Sequence, residues 1–349
     1  MEAILRQGTT AILLVGAWAK EHSGRERVLE QFCRERSALS ITVDVIVPVY
    51  GNWSITANCL DSLARQTLPH RVIVVDDKSL DDTVERVSAE YPHVELVALP
   101  VNSGFASACN SGLARATADV VVLFNNDVVA EPDLLEHLIR PFDDPSIGSS
   151  APLLFRPDGT IDAFGISADV TVAGFVRMHG ATLRKWVPPT ERLLGPYGAV
   201  AAYRRSALNE VGGLDEGIFM YGEELDLNLR LSSAGWKPAA APEARGVHLG
   251  GATAGAGSAR QRERAGFGRA YLLRAYRVLR GRHGARALLV EIVVCLADAF
   301  RSRDFAAVRG RVAGWRAARL AARRLTTAPD IDSSIGLLRS ITLRTRARC

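Results

Sequence analysis

Cysteine is sparse and unpatterned in this chain: Cys33, Cys59, Cys109, Cys295 and Cys349 include no CxxC pair. That excludes a disulfide framework and a zinc module, and fits scattered thiols of a reducing, cytoplasmic compartment. Long apolar runs are also missing, since no stretch approaches the roughly 20 residues a spanning helix needs. The run Thr10-Ala-Ile-Leu-Leu-Val-Gly-Ala-Trp18 is short, with neither a basic leader nor a clear cleavage site. It reads as a local helix, or as part of an N-terminal extension over residues 1–40. Lysine is nearly absent, with four among 43 basic residues. Codon bias accounts for that choice of arginine. No internal repeat is visible.

What remains is an ordinary enzyme composition, 48% hydrophobic and 23% charged over 349 residues. That length suits one large domain or two ordinary ones. The charge is segregated, which codon bias does not explain. From Arg260 onward there are 21 Arg, no Lys and 6 acids, a balance of +15, so the preceding 259 residues carry −10 of the net +5. A basic tail on an acidic body meets an anionic partner, either nucleic acid or the inner membrane face. Nucleic acid is disfavoured, because no aromatic stacking platform accompanies the arginines. Tyr271, Tyr276 and Trp315 fit amphipathic helix faces better. The alternative for the tail is a soluble helical subdomain or a homodimer interface.

From residue 42 the pattern becomes regular. Apolar strands are expected at 43–50, 71–77, 94–100 and 119–124, alternating with helices at 53–66, 81–91, 104–117 and 131–141. Such alternation means βαβ units and a mainly parallel sheet flanked by helices, an α/β fold. After about 145 the rhythm changes. Strands are expected at 147–155, 198–203 and 239–249, and helices at 206–211 and 223–233, around pocket-shaping loops over 156–197. Residues 250–259 read as a flexible connector. The basic stretch 260–325 is helical in pattern. The expected division is an extension over 1–40, a catalytic domain over 41–255 and a basic helical region over 256–349.

The sharpest local signal is Asp119-Val-Val-Val-Leu-Phe-Asn-Asn-Asp127. A short Val-rich run bounded by polar residues reads as a strand buried on both faces. Asn125, Asn126 and Asp127 stand where it ends, at the sheet edge where ligands bind. A carboxylate beside oxygen-donor amides there suits a hard cation held against phosphate; an Asx turn fits the same residues equally well. Asp76 and Asp77 end the second strand and face the same crevice. Asn102-Ser-Gly-Phe-Ala-Ser-Ala-Cys-Asn110 follows the third strand, with Gly104 permitting close backbone approach and Asn110 able to hold a loop. Glu223 and Glu224 open a helix, where the dipole favours anions. Asp226 and Arg230 have the spacing of an ion pair. A carboxylate at a pocket lip can serve as general base. His248, at a strand end before Gly250, is open to a metal or phosphate role as well as a structural one.

Together these residues resemble an inverting family 2 glycosyltransferase with the GT-A fold, over about 43–250, closest to the rhamnosyltransferase-like branch of bacterial cell-surface glycan enzymes. Ile46-Val-Pro-Val-Tyr50 and Val75-Asp-Asp-Lys-Ser-Leu-Asp-Asp-Thr83 are similar to its first two strand ends. Asn102–Phe105 with Asn110 resembles its Asn-x-Gly-Phe segment, and Asn125-Asn126-Asp127 its DxD element. Val211–Glu216 with Phe219–Asp226 resembles the acceptor-side block that ends in its ED motif.

The resemblance implies a sugar moved from a dTDP- or UDP-linked donor to a hydroxyl acceptor, with a lipid-linked glycan among the candidates. It implies that Asp76 contacts the base and Asn125 the ribose or diphosphate. Asp127 and His248 would meet Mg2+ or Mn2+, and Glu224 would be the base. Pro48, Tyr50, Asp77, Asn102, Gly104, Asn110, Asn126, Glu223 and Asp226 complete the implied substrate contacts. Two departures stand out. Asn125 replaces the first acid of DxD, and Glu223-Glu224 replaces Glu-Asp. They leave open a catalytically weak nucleotide-sugar-binding protein, or an enzyme decorating a soluble small molecule.

Overall fold

The computed structural model describes residues 41–183, 189–250, 257–321 and 328–346. The extension over 1–40, the middle of the connector at 251–256 and the end of the expected tail helices at 322–325 lie outside the described residues. Four apolar runs form four parallel strands, β1 (Val43–Val49), β2 (Arg71–Asp76), β3 (Glu95–Ala98) and β4 (Val120–Phe124), side by side as β3-β2-β1-β4. All five β4 residues are buried, as an apolar run covered on both faces requires. Helices α1 (Trp53–Ala64), α2 (Thr83–Glu90) and α3 (Phe105–Leu113) make the crossovers.

Helix α3 stops four residues short of the expected 117. The Thr117 and Ala118 amides donate to the Asp44 carboxylate at 2.7 and 3.0 Å, which turns the chain toward β4. The helix expected at 131–141 is α4 (Leu134–Ile139) followed by a 3-10 turn, Arg140–Asp143. Pro141 has no N–H to continue the α pattern.

Beyond β4 come β5 (Val128–Ala130), β6 (Ile147–Phe155), β7 (Ile161–Ala163), β8 (Ile166–Ala168), β9 (Gly174–Val176), β10 (Val200–Arg204) and β11 (Lys237–His248), with helices α5 (Arg205–Val211) and α6 (Glu223–Ser233). Strand β10 runs antiparallel to β4 and to β6, and β11 runs parallel to β6 and antiparallel to β5. The sheet is therefore mixed: its first half is parallel and its second half combines antiparallel pairs with the parallel pair β6–β11. Strands β5, β7, β8 and β9 fall where turns or loops were expected. At three residues each they are too short to show a period.

The tail forms α7 (Ala259–Ala275), α8 (Gly284–Ser302), α9 (Ala306–Ala317) and, beyond the expected helical stretch, α10 (Leu337–Arg346). Helix α7 packs Tyr271, Leu272 and Ala275 into one core cluster with Leu225 and Leu229 of α6. A Cβ at Gly268 would stand 1.8 Å from the Tyr221 carbonyl oxygen, so only glycine lets α7 approach the start of α6 this closely.

Much of the tail's positive charge turns inward. Glu291 of α8 is buried and receives Arg269 at 2.7 Å, Arg311 at 2.9 Å and Arg344 at 2.7 Å. These arginines come from α7, α9 and α10, so one carboxylate ties four helices together. Burial pushes the Glu291 pKa up, but the three guanidiniums outweigh it and hold the group well below its ordinary 4.5. A depressed carboxyl stabilises the fold above its unfolded pKa and loses that contribution as the pH falls below about 4.5. Glu291→Gln should therefore cost about 3–5 kcal/mol at neutral pH, by leaving buried arginines uncompensated. It should also flatten the acid limb of the stability curve. Denaturant melts at pH 7 and pH 4 check both effects; a variant as stable as wild type at pH 7 contradicts them.

Candidate active site

The carboxyl ends of β1 and β4 open onto a cavity of about 1100 Å³. Register explains its most polar corner. Strand β4 ends in Asn125-Asn126-Asp127, and the chain returns as β5, with Val128 paired to His248 of β11. The Leu249 amide donates to the Asp127 carbonyl at 2.9 Å. His248 Nε2 then lies 3.3 Å from Asp127 Oδ1, while its Nδ1 is 2.7 Å from Asp162 Oδ2 on β7. Burial opposes charge on the imidazole, but hydrogen bonds to Asp127 and Asp162 outweigh it and push His248 up to about 9.

Helix α1 holds this turn from beneath. Thr56 Oγ1 accepts from the Asn126 side-chain amide at 2.9 Å, and Ser62 Oγ accepts from the Ala130 amide at 3.1 Å. Asn126 borders the cavity, yet its amide serves the turn. Asn125 differs: its backbone amide donates to the Ala199 carbonyl at 2.8 Å, and its Oδ1 is buried with no partner.

The opposite wall is the start of α6. Gly222 has φ +111 and leads into Glu223 and Glu224. The Gly222 amide donates to Glu224 Oε2 at 3.2 Å. Glu223 is buried with its Oε2 unpartnered. Burial, then the neighbouring Glu224 charge, push Glu223 well above the ordinary carboxylate range, and burial raises Glu224 as well. Two adjacent buried carboxylates do not both ionise freely, and the rise is the steeper at Glu223. Tyr197 bridges the two walls. Its ring packs edge-on against His248 at 6.3 Å, and its phenol is raised by burial and by the Asp162 and Glu224 charges.

Of the expected residues, Pro48, Tyr50, Asp77, Asn125, Asn126, Asp127, Glu223, Glu224 and His248 line this cavity. Asp76, Asn102, Gly104, Asn110 and Asp226 are not in its lining. Asp76 is buried and accepts from the Ser79 amide at 3.0 Å and from the Ser79 hydroxyl. Asn102 is exposed. Gly104, at φ +88, donates to Asp77 at 2.9 Å; a Cβ there would meet the Phe219 carbonyl oxygen at 2.6 Å. Asn110 staples the loop before α6, donating to the Leu214 carbonyl at 2.9 Å and accepting from the Leu214 amide at 3.0 Å. Asp226 points into the protein, toward Arg230 at 2.8 Å and the Tyr276 hydroxyl at 2.9 Å. It ties the end of α7 to α6.

Sequence reading missed Asp162, Tyr197, Arg156 and His179, all of which line the cavity. They lie in the stretch read as pocket-shaping loops, and no motif marked them individually. It also missed that α7 and α8 wall the cavity, through Gln261, Arg262, Ala265, Val294, Ala297 and Asp298.

The order of the sheet, with its parallel half and mixed extension, is that of a GT-A-type fold. Residues 44–212 match the family model for glycosyl transferase family 2, so the chain carries a domain of that family. It is 30% identical over 206 residues to N-acetylglucosaminyl-diphospho-decaprenol L-rhamnosyltransferase of Mycobacterium tuberculosis, covering 52% of this chain and 66% of that one. It is 25% identical to an O-antigen chain rhamnosyltransferase of Salmonella typhimurium, covering 58% of this chain and 64% of that one. The chain thus spans just under two thirds of the length of these relatives. Among solved structures, the mannosyltransferase PcManGT from Pyrobaculum calidifontis in complex with GDP-Man and Mn2+ shares the fold at TM-score 0.50 and 20% identity. That match covers 87% of this chain and 86% of that one.

Proposed function

We propose that this protein transfers a sugar, with inversion, from a nucleoside-diphosphate donor to a hydroxyl acceptor in cell-surface glycan assembly. The observation that carries the reading is the convergence of two acid groups, Asp127–His248–Asp162 and Glu223–Glu224, on opposite walls of one cavity. Relatives named as rhamnosyltransferases, one of them acting on a decaprenol-linked sugar, support the surface-glycan setting and a lipid-linked acceptor at the inner membrane face. Donors linked to dTDP or UDP are the first to test.

The donor set suits a divalent cation of the Mn2+ or Mg2+ kind. Among the described residues no cluster of three His, Cys, Asp or Glu side chains is arranged to hold a metal. The chain therefore offers Asp127 and, once a bound cation displaces its Nε2 proton, His248, leaving the rest to diphosphate and water. Asp162 grips the far nitrogen of His248, as carboxylates behind metal-bound histidines do. A bound cation would neutralise charge on the departing diphosphate. Asn125 Oδ1, buried and unpartnered, would accept from a donor hydroxyl. Glu224 takes the acceptor proton, and the freed oxygen attacks the anomeric carbon from the face opposite the diphosphate as the bond to the diphosphate breaks.

Asp162→Asn should keep the fold and weaken Mn2+ binding by about 10–100-fold, since it loosens the orientation of His248. Calorimetric or EPR titration of Mn2+ into the protein with nucleoside diphosphate measures this. Unchanged affinity removes Asp162 from the metal site. The reading as a whole is tested by nucleoside-diphosphate release from a panel of nucleotide sugars; a binding protein without turnover releases none.

A further inference from the structure

Helix α8 has two unlike faces. Its inward face carries both of its acids, buried Glu291 and buried Asp298, together with Val290 and Val294. Its outward face carries Leu288, Leu289, Ile292, Leu296 and Phe300, at helical spacing and 48–87% exposed. Phe305, just beyond the helix end, is 66% exposed and extends the stripe. Among the described residues nothing covers it. Five large apolar side chains aligned on one outward helix face are not the scattered exposure common on protein surfaces.

The exposed charges at the ends of the stripe are basic. Arg282 stands exposed near its start and Arg303 near its end, while Asp304 beside Phe305 is paired with Arg262 and the outward face of the helix itself bears no acid. No helix among the described residues is long and apolar enough to cross a membrane. An apolar stripe with basic flanks and a polar, packed back suits a helix lying in the interface of an anionic bilayer. The back of the same helix lines the cavity through Val294, Ala297 and Asp298.

We propose that the outward face of α8 is a membrane-contact surface that seats the cavity at an anionic lipid surface. The proposal rests on the glycosyl-transfer reading only for its use, which is to bring a lipid-linked acceptor to Glu224. It also narrows the tail's membrane role from its whole positive charge to this stripe. Arg269, Arg311 and Arg344 hold Glu291 inside the protein, so they do not supply the surface charge.

The test is flotation of the full chain with phosphatidylcholine vesicles, with and without phosphatidylglycerol. The wild type should float with phosphatidylglycerol vesicles, less so as salt rises. The double variant Leu296→Glu/Phe300→Glu should lose at least about tenfold in partitioning, because both side chains are replaced by charge. Its nucleoside-diphosphate release from donor to water should be unchanged, since neither residue lines the cavity. Should that variant fold poorly, Arg282→Glu/Arg303→Glu gives a second readout, loss of the preference for anionic vesicles. Variants that float like wild type overturn the surface. So does a wild type that ignores both vesicle types, including one that sediments as a dimer broken by the double variant. Vesicle binding without turnover on any donor keeps the surface and overturns the transfer reading; turnover without vesicle binding does the reverse.

Discussion

Glu224→Gln should retain donor affinity and lose transfer by about 10³-fold, the usual contribution of a positioned general base. Glutamine keeps the shape at the start of α6 and removes the ability to accept a proton. The companion change sharpens the test. Glu223 is the member of the pair that burial, then the Glu224 charge, push furthest above the carboxylate range. Glu223→Gln keeps its shape without a charge and should cost far less in turnover. Burial, not Glu223, raises the Glu224 pKa, so the acid limb of the turnover profile should stay where it is in wild type. Calorimetry with donor, steady-state transfer rates and the two pH profiles give the answer. Equal losses in both variants, or lost donor affinity in Glu224→Gln, assign the base elsewhere.

Asp127→Ala should reduce turnover on the order of 10³-fold, the several kcal/mol that a metal-held diphosphate receives at its transition state. Asp127 is the only carboxylate in the turn after β4, because Asn125 stands where the resemblance calls for an acid. No second acid within the triplet can compensate. The variant also strips His248 of one of the two carboxylates that raise its pKa, leaving Asp162. Mn2+ affinity in the presence of nucleoside diphosphate should fall with turnover. Activity near wild type, with unchanged dependence on added metal, would contradict the role.

The parts of this site that the sequence made legible share one property: the chemistry sits beside a strong local pattern. Asp127 follows a five-residue apolar strand, and Glu223 and Glu224 open a clean helix, so their places at the crevice followed from strand and helix ends alone. Asp162 had no such marker. It lies on a three-residue strand and reaches His248 only because β7 pairs with β6 and β6 with β11, a relation of register across 86 residues. Asn110 and Asp226 were legible through their local chemistry: a loop-holding amide and an i,i+4 ion pair with Arg230 are what the structure shows, both outside the cavity lining. The tail's charge asymmetry was visible as well. That Glu291 would gather arginines from three other helices was not, because a buried ion cluster leaves no periodic trace.

The most direct test of the account is nucleoside-diphosphate release from a donor panel, run with and without Mn2+ on wild type and Glu224→Gln side by side. The account predicts release from at least one dTDP- or UDP-linked sugar, stimulated by the metal. It predicts that acceptor-dependent release is lost in the variant. A folded wild type that binds these donors and releases nothing, or a variant that transfers as fast as wild type, would contradict it.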